Sequence, residues 1–85
     1  MTPQHASELT LQTCNLAPVI PVLVVDDADI AADLARALIA GGLPALEVTL
    51  RTPAALDVIR EMARIAGGVV GAGTLLTPAD VEAAK

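Results

Sequence analysis

A carboxylate and a guanidinium share the stretch A-L-E-V-T-L-R-T, Ala45 to Thr52, in a chain that is 54% hydrophobic. Read at the two-residue period of a strand, Leu46, Val48 and Leu50 fall on one face and Glu47, Thr49 and Arg51 on the other. A carboxylate withdrawn from water without partners costs on the order of several kcal/mol. Either Arg51 or another neighbour therefore compensates Glu47, or its pKa rises, and a raised carboxyl pKa suits a general acid/base near neutral pH. The plainer alternative is an edge strand with a wet polar face and an incidental ion pair across it.

A second candidate is G-G-V-V-G-A-G-T, Gly67 to Thr74, a strand-like run whose small residues let a ligand or another side chain approach the backbone. It lacks the Gly-Lys-Ser/Thr ending of a phosphate loop, and Leu76 occupies the third glycine position of a dinucleotide fingerprint. Thr74 can offer its hydroxyl to an anionic substrate group, or it can cap the loop into the next helix. Other chemistry is poorly supplied. His5 has no second metal ligand at a useful spacing, and Asp26, Asp27 and Asp29 lack the calcium-loop pattern and read as helix-start caps. The one serine and the one histidine both lie in the N-terminal arm, so no Ser/His/Asp arrangement is available.

Composition narrows the class further. With no aromatic residue, any core is built from Ala, Val, Leu and Ile, and the net charge of −5 without a Lys/Arg cluster argues against nucleic acid or an anionic membrane as partner. Cys14 has no second thiol for a disulfide or a CxxC site, which fits a reduced, cytoplasmic protein with an inert apolar cysteine. The first residues lack the basic start and apolar run of a signal peptide, and no apolar stretch is long enough to span a bilayer.

The elements that must position Glu47, Arg51 and Thr74 alternate. Residues 1–17 read as an arm or short helix. Pro18 to Val25 is a β-branched run that fits a buried parallel strand, with its prolines at the entrance. The segment after Asp26 predicts a helix with Ile30, Leu34, Ala37 and Leu38 on its apolar stripe, ended by Gly41-Gly42. After the Glu47 strand, Thr52 is placed as N-cap with Pro53 in the first turn of a helix whose stripe is Leu56, Ile59 and Ala63, with Met62 beside it. Gly67-Gly68 closes it, Val69 to Gly73 is a third strand, and Thr77 with Asp80 opens a third helix as a capping box.

L-R-T-P-A-A and L-L-T-P-A-D recur about 25 residues apart, the period of a βα unit. Repeated βα units imply right-handed crossovers and a parallel sheet, either open and doubly wound or closed as a (β/α)8 barrel. Eight such units need about 200 residues, so residues 18–85 make a partial barrel, three units of eight. Three parallel strands leave two unpaired edges, which points to a part of a larger protein or to one completed by another chain. A compact three-strand module is the alternative. In a barrel, Glu47, Thr49 and Arg51 point inward and rise toward the C-terminal mouth.

Together P-V-I-P-V-L-V-V, A-L-I-A-G-G-L-P-A-L-E-V-T-L-R-T and G-G-V-V-G-A-G-T-L-L resemble the N-terminal part of the 2-keto-3-deoxy-6-phosphogluconate (KDPG) and 4-hydroxy-2-oxoglutarate (KHG) aldolases, from about Ala17 to Lys85. The resemblance implies a (β/α)8 barrel, usually trimeric and cytoplasmic. It would release pyruvate from a keto-acid substrate of the Entner–Doudoroff pathway, through a lysine Schiff base and without metal or cofactor. It places the family's acid/base glutamate on Glu47, its carboxylate-holding arginine on Arg51 and the threonine beside that carboxylate on Thr74. It also implies that the Schiff-base lysine is not in this chain, whose only lysine is Lys85, so that these residues alone are inactive. Two other functions remain open at this stage: a non-enzymatic assembly module whose strand edges pair with another chain, and a divergent keto-acid lyase on the same scaffold.

Overall fold

The computed structural model describes residues 2–85 as three parallel strands and four helices. In chain order these are α1 (Pro3–Cys14), β1 (Val22–Leu23), α2 (Ala31–Ala40), β2 (Ala45–Thr49), α3 (Ala55–Ala63), β3 (Val69–Gly73) and α4 (Pro78–Ala84). The sheet order is β1-β2-β3, all parallel, so the strand carrying Glu47 is central. The edge-strand alternative is thereby removed. In register, Glu47 sits beside Val22 on one side and Gly71 on the other, and Thr49 sits beside Gly73.

Sheet alternation divides β2 as its sequence predicts. Leu46 and Val48 enter a core with Val25, Ala31, Ala35, Ala55, Val58 and Met62, so this face meets α2 and α3. The alanines let the helix backbones approach the sheet closely, and burying Val48 and Val58 contributes about 1.5–3 kcal/mol each. Glu47 faces the other way, half-buried beneath α1. That N-terminal helix is capped by Thr2 and buries none of its residues.

Three local expectations are corrected. Only Val22–Leu23 of the run from Pro18 to Val25 is strand. Pro18 and Pro21 carry no N–H, which delays the start of pairing, although the Pro21 carbonyl still accepts from Glu47 N at 3.0 Å. In α2 the apolar stripe is turned by one residue: Ala31 and Ala35 are fully buried, Leu34 and Leu38 flank them, and Ile30 and Ala37 are exposed. A 3-10 turn at Ala28–Ile30, capped by the Asp27 carboxylate, precedes the helix and resets its phase. The third correction concerns α3, which begins at Ala55 without a side-chain cap. Its buried positions are Ala55, Val58 and Met62, while Leu56 and Ala63 face outward toward α4 and Ile59 packs at the margin of the core. Thr52 does not cap it, because its hydroxyl donates to the Val25 carbonyl at 2.6 Å and ties the end of β2 to the segment after β1.

The helix ends behave as their glycines require. Gly42 and Gly67 adopt φ of +95° and +90°, left-handed values that stop α2 and turn the chain out of the loop after α3. At α4 the capping box forms in full, with Thr77 Oγ1 accepting from Asp80 N at 3.2 Å and the Asp80 carboxylate accepting from Thr77 N at 3.2 Å. No helix is long and apolar enough to cross a membrane among the described residues.

Candidate active site

Parallel βα units put every strand's C-terminal end on one side of the sheet, and Glu47, Arg51 and Thr74 all relate to that side. Glu47 lies mid-strand in β2. Its side chain leans diagonally across the sheet over Gly73, two residues along the neighbouring strand from its register partner. A Cβ on Gly73 would stand 2.5 Å from Glu47 Oε2 and 2.8 Å from Cδ, so the carboxylate occupies the room that the missing side chain leaves. The small residues of V-G-A-G therefore admit a side chain, one of the two uses their size allows. The lean carries the carboxylate from mid-sheet toward the C-terminal edge.

Arg51 lies past the end of β2, in the turn that leads to α3. Strand alternation thus stops at Thr49, and the ion pair between Arg51 and Glu47 that the pattern allowed is not formed. Among the described residues the ion pairs are Arg36–Asp33, Arg60–Asp57, Arg64–Glu61 and Lys85–Glu82, all on exposed helix surfaces where such pairs contribute little. Arg51 instead directs Nε–H at Thr74 Oγ1, 3.4 Å away, a long contact that leaves most of its guanidinium donors free at an exposed position.

Thr74, the first residue after β3, has φ of 59°, the one left-handed backbone outside glycine among the described residues. A β-branched side chain is disfavoured there, and such strain costs roughly 1–3 kcal/mol and concentrates at functional sites. It does not cap α4, since Thr77 and Asp80 do that, and its hydroxyl accepts the long contact from Arg51. Thr49, which alternation grouped with these residues, is buried, and its hydroxyl donates to the Leu23 carbonyl at 3.0 Å. Its part is to bind β2 to β1.

Beneath α1 the face of Glu47 opens into a cavity of about 330 Å³, lined by Leu9, Thr13, Ile20, Ala45, Glu47 and Gly71 among others. Its walls are mostly apolar, and Glu47 is the charged residue among those that line it. Lys85 is elsewhere: its ammonium is 3.0 Å from Glu82 Oε1, and it borders the groove between α3 and α4 in the helix layer. Cys14, at the rim of the cavity, is a free and exposed thiol.

Three parallel βα units, with Arg51 and Thr74 meeting past the C-terminal ends of β2 and β3, are the opening part of a (β/α)8 barrel. The family model for KDPG and KHG aldolase matches residues 11–85, and the chain belongs to that family. It is 54% identical over 71 residues to the 2-dehydro-3-deoxy-phosphogluconate aldolase of Zymomonas mobilis, a match covering 84% of this chain and 34% of the relative. It is 52% identical over 62 residues to the KHG/KDPG aldolase of Escherichia coli, covering 72% of this chain and 29% of the relative.

The solved structures agree. The 2-keto-3-deoxy-6-phosphogluconate aldolase of Zymomonas mobilis superposes with a TM-score of 0.83 at 52% identity, over 86% of this chain and 35% of that one. A KDPG aldolase of Legionella pneumophila, solved with pyruvate captured at low pH as a covalent carbinolamine, superposes with a TM-score of 0.77 at 40% identity. It is matched over 85% of this chain and 35% of its own. The chain spans about a third of the length of the curated relatives it matches.

Proposed function

We propose that this chain supplies the acid/base and carboxylate-binding part of a class I aldolase that cleaves KDPG to pyruvate and glyceraldehyde 3-phosphate, or 4-hydroxy-2-oxoglutarate to pyruvate and glyoxylate. The observation that carries the reading is the placement of Glu47, its carboxylate aimed over Gly73 toward the strand ends, in a member of the KDPG and KHG aldolase family.

The chemistry divides as follows. A lysine amine from outside these residues adds to the C2 keto carbon, and Glu47 gives a proton to the departing hydroxyl, which leaves as water and yields the iminium. Glu47, now a carboxylate, takes the proton of the C4 hydroxyl while the C3–C4 bond breaks and its electron pair moves into the iminium. The aldehyde leaves, and the enamine takes a proton at C3 before hydrolysis frees pyruvate. Arg51 holds the substrate's C1 carboxylate through its planar fork, and the Thr74 hydroxyl adds a hydrogen bond to the same group.

On this reading the 85-residue polypeptide by itself is inactive, because Lys85 lies in the helix layer beside Glu82 and not at the strand ends. The reading brings with it a trimeric assembly, a cytoplasmic location and a place in the Entner–Doudoroff breakdown of sugar acids. It is tested in a hybrid in which this chain replaces the homologous first third of the Zymomonas mobilis aldolase. The hybrid cleaves KDPG, and Glu47→Gln lowers kcat by about 100-fold or more, the usual worth of a general acid/base. A Glu47→Gln hybrid with full kcat rejects the role given to Glu47.

A further inference from the structure

We infer that Gly73 is a positioning residue for Glu47: its missing side chain is the seat that aims the carboxylate. The inference rests on the proposed role of Glu47 and adds to it the reason the carboxylate points where it does.

Glycine at this position is not needed for the backbone. Gly73 belongs to a regular strand, and left-handed φ among the glycines is confined to Gly42 and Gly67. Its neighbours pin it in place, with Thr49 beside it in register and Leu50 N donating to its carbonyl at 2.9 Å. What glycine supplies is room. An added Cβ would meet Oε2, Cδ and Cγ of Glu47 at 2.5, 2.8 and 3.2 Å, all inside van der Waals contact, and nothing else of the protein stands as near. Between a strand held by its ladder and the far end of a flexible side chain, the side chain moves. Alanine at 73 therefore leaves the fold standing and displaces the carboxylate.

Gly71 provides the internal control. It lies on the same strand, two residues earlier, so it presents the same face, yet a Cβ there would find only Leu46 O, at 3.9 Å. An effect of alanine on β3 in general would appear at both positions, whereas displacement of Glu47 appears only at 73.

The experiment compares Gly73→Ala, Gly71→Ala and Glu47→Gln in the hybrid aldolase, reading kcat, KM and thermal unfolding. The expected result for Gly73→Ala is a kcat lowered by ~100-fold with KM within about twofold and the melting temperature unchanged, because a misplaced proton carrier costs rate and not binding. Gly71→Ala, whose added methyl group borders the cavity beneath α1 and not the carboxylate, is expected to lose far less kcat than Gly73→Ala. Full kcat in Gly73→Ala beside an inactive Glu47→Gln overturns the inference and leaves the role of Glu47 standing. An unfolded Gly73→Ala, or equal losses in Gly73→Ala and Gly71→Ala, overturns it as well, since the glycine would then serve the strand. Full activity in Glu47→Gln instead sinks the proposed function on which it rests.

Discussion

The side chains of Arg51 and Thr74, 23 residues apart in the chain, meet at the ends of neighbouring strands with 3.4 Å between Nε and Oγ1. Each sits just beyond its strand, one in a turn and one with a left-handed backbone, so two interruptions of regular structure converge on one spot. On the proposed function that spot receives the substrate carboxylate. Arg51→Met in the hybrid aldolase is then expected to raise KM for KDPG by about 10- to 100-fold, the worth of charge-assisted hydrogen bonds to a carboxylate. Arg51→Lys should recover only part of it, since an ammonium lacks the planar fork. Steady-state kinetics on the two variants checks both; an unchanged KM in Arg51→Met would remove Arg51 from the site.

The strain at Thr74 makes a second prediction, in which stability and activity move in opposite directions. Thr74→Asn suits φ of 59° better than a β-branched residue does and is expected to stabilise the chain by about 1 kcal/mol, visible as a higher denaturation midpoint. The same change moves the hydroxyl's hydrogen-bonding group and should weaken substrate binding. A Thr74→Asn protein that is both less stable and fully active would show that the conformation serves neither end.

Thr52 and Thr77 stand in nearly the same local sequence and do different work. Thr77→Ala removes one half of a capping box and is expected to cost about 1 kcal/mol, with faster amide exchange confined to α4. Thr52→Val leaves the Val25 carbonyl without its donor at the junction of β1 and β2, which costs roughly 1–3 kcal/mol and loosens the sheet. Hydrogen exchange followed by mass spectrometry separates the two patterns.

Those two threonines also mark how far the sequence could be read. The phase of β2 was legible because Leu46 and Val48 contrast sharply with Glu47, and in a strand a slip of one residue inverts every side chain. β3 was legible from its β-branched start and glycine end, and α4 from its box. The phases of α2 and α3 were each misread by about one residue, for a shared physical cause. Their buried faces include Ala31, Ala35 and Ala55, which a hydrophobic stripe ranks below the exposed Ile30 and Leu56, although Val58 and Met62 complete the face of α3. Close helix–sheet packing selects small residues, and nothing local announces it. Thr52 was misread because its partner, Val25, is distant in sequence. In the candidate site, the residue types and the face of Glu47 were readable, whereas the left-handed Thr74 and the seat at Gly73 exist only once β2 and β3 are paired.

Met62 tests the packing itself. It is the largest of the fully buried side chains and joins Val48 and Val58 in the layer between sheet and helices. Met62→Ala is expected to lower stability by about 2–5 kcal/mol, whereas Leu56→Ala, on the outward side of α3, should cost far less. Chemical denaturation of both variants beside the parent decides it; equal losses would place the helix in the phase that its hydrophobic stripe suggests.

The central claim is that this chain carries the proton-handling half of a Schiff-base aldolase site while the amine comes from outside it. The most direct measurement is intact mass after incubation with pyruvate and borohydride, which reduces any Schiff base to a stable adduct, performed on the 85-residue chain and on the hybrid with the Zymomonas mobilis aldolase. The account predicts one reduced pyruvate on the hybrid, at a lysine beyond this chain's segment, and none on the chain alone. An adduct on Lys85 of the isolated chain, or a hybrid that cleaves KDPG without forming one, would contradict it.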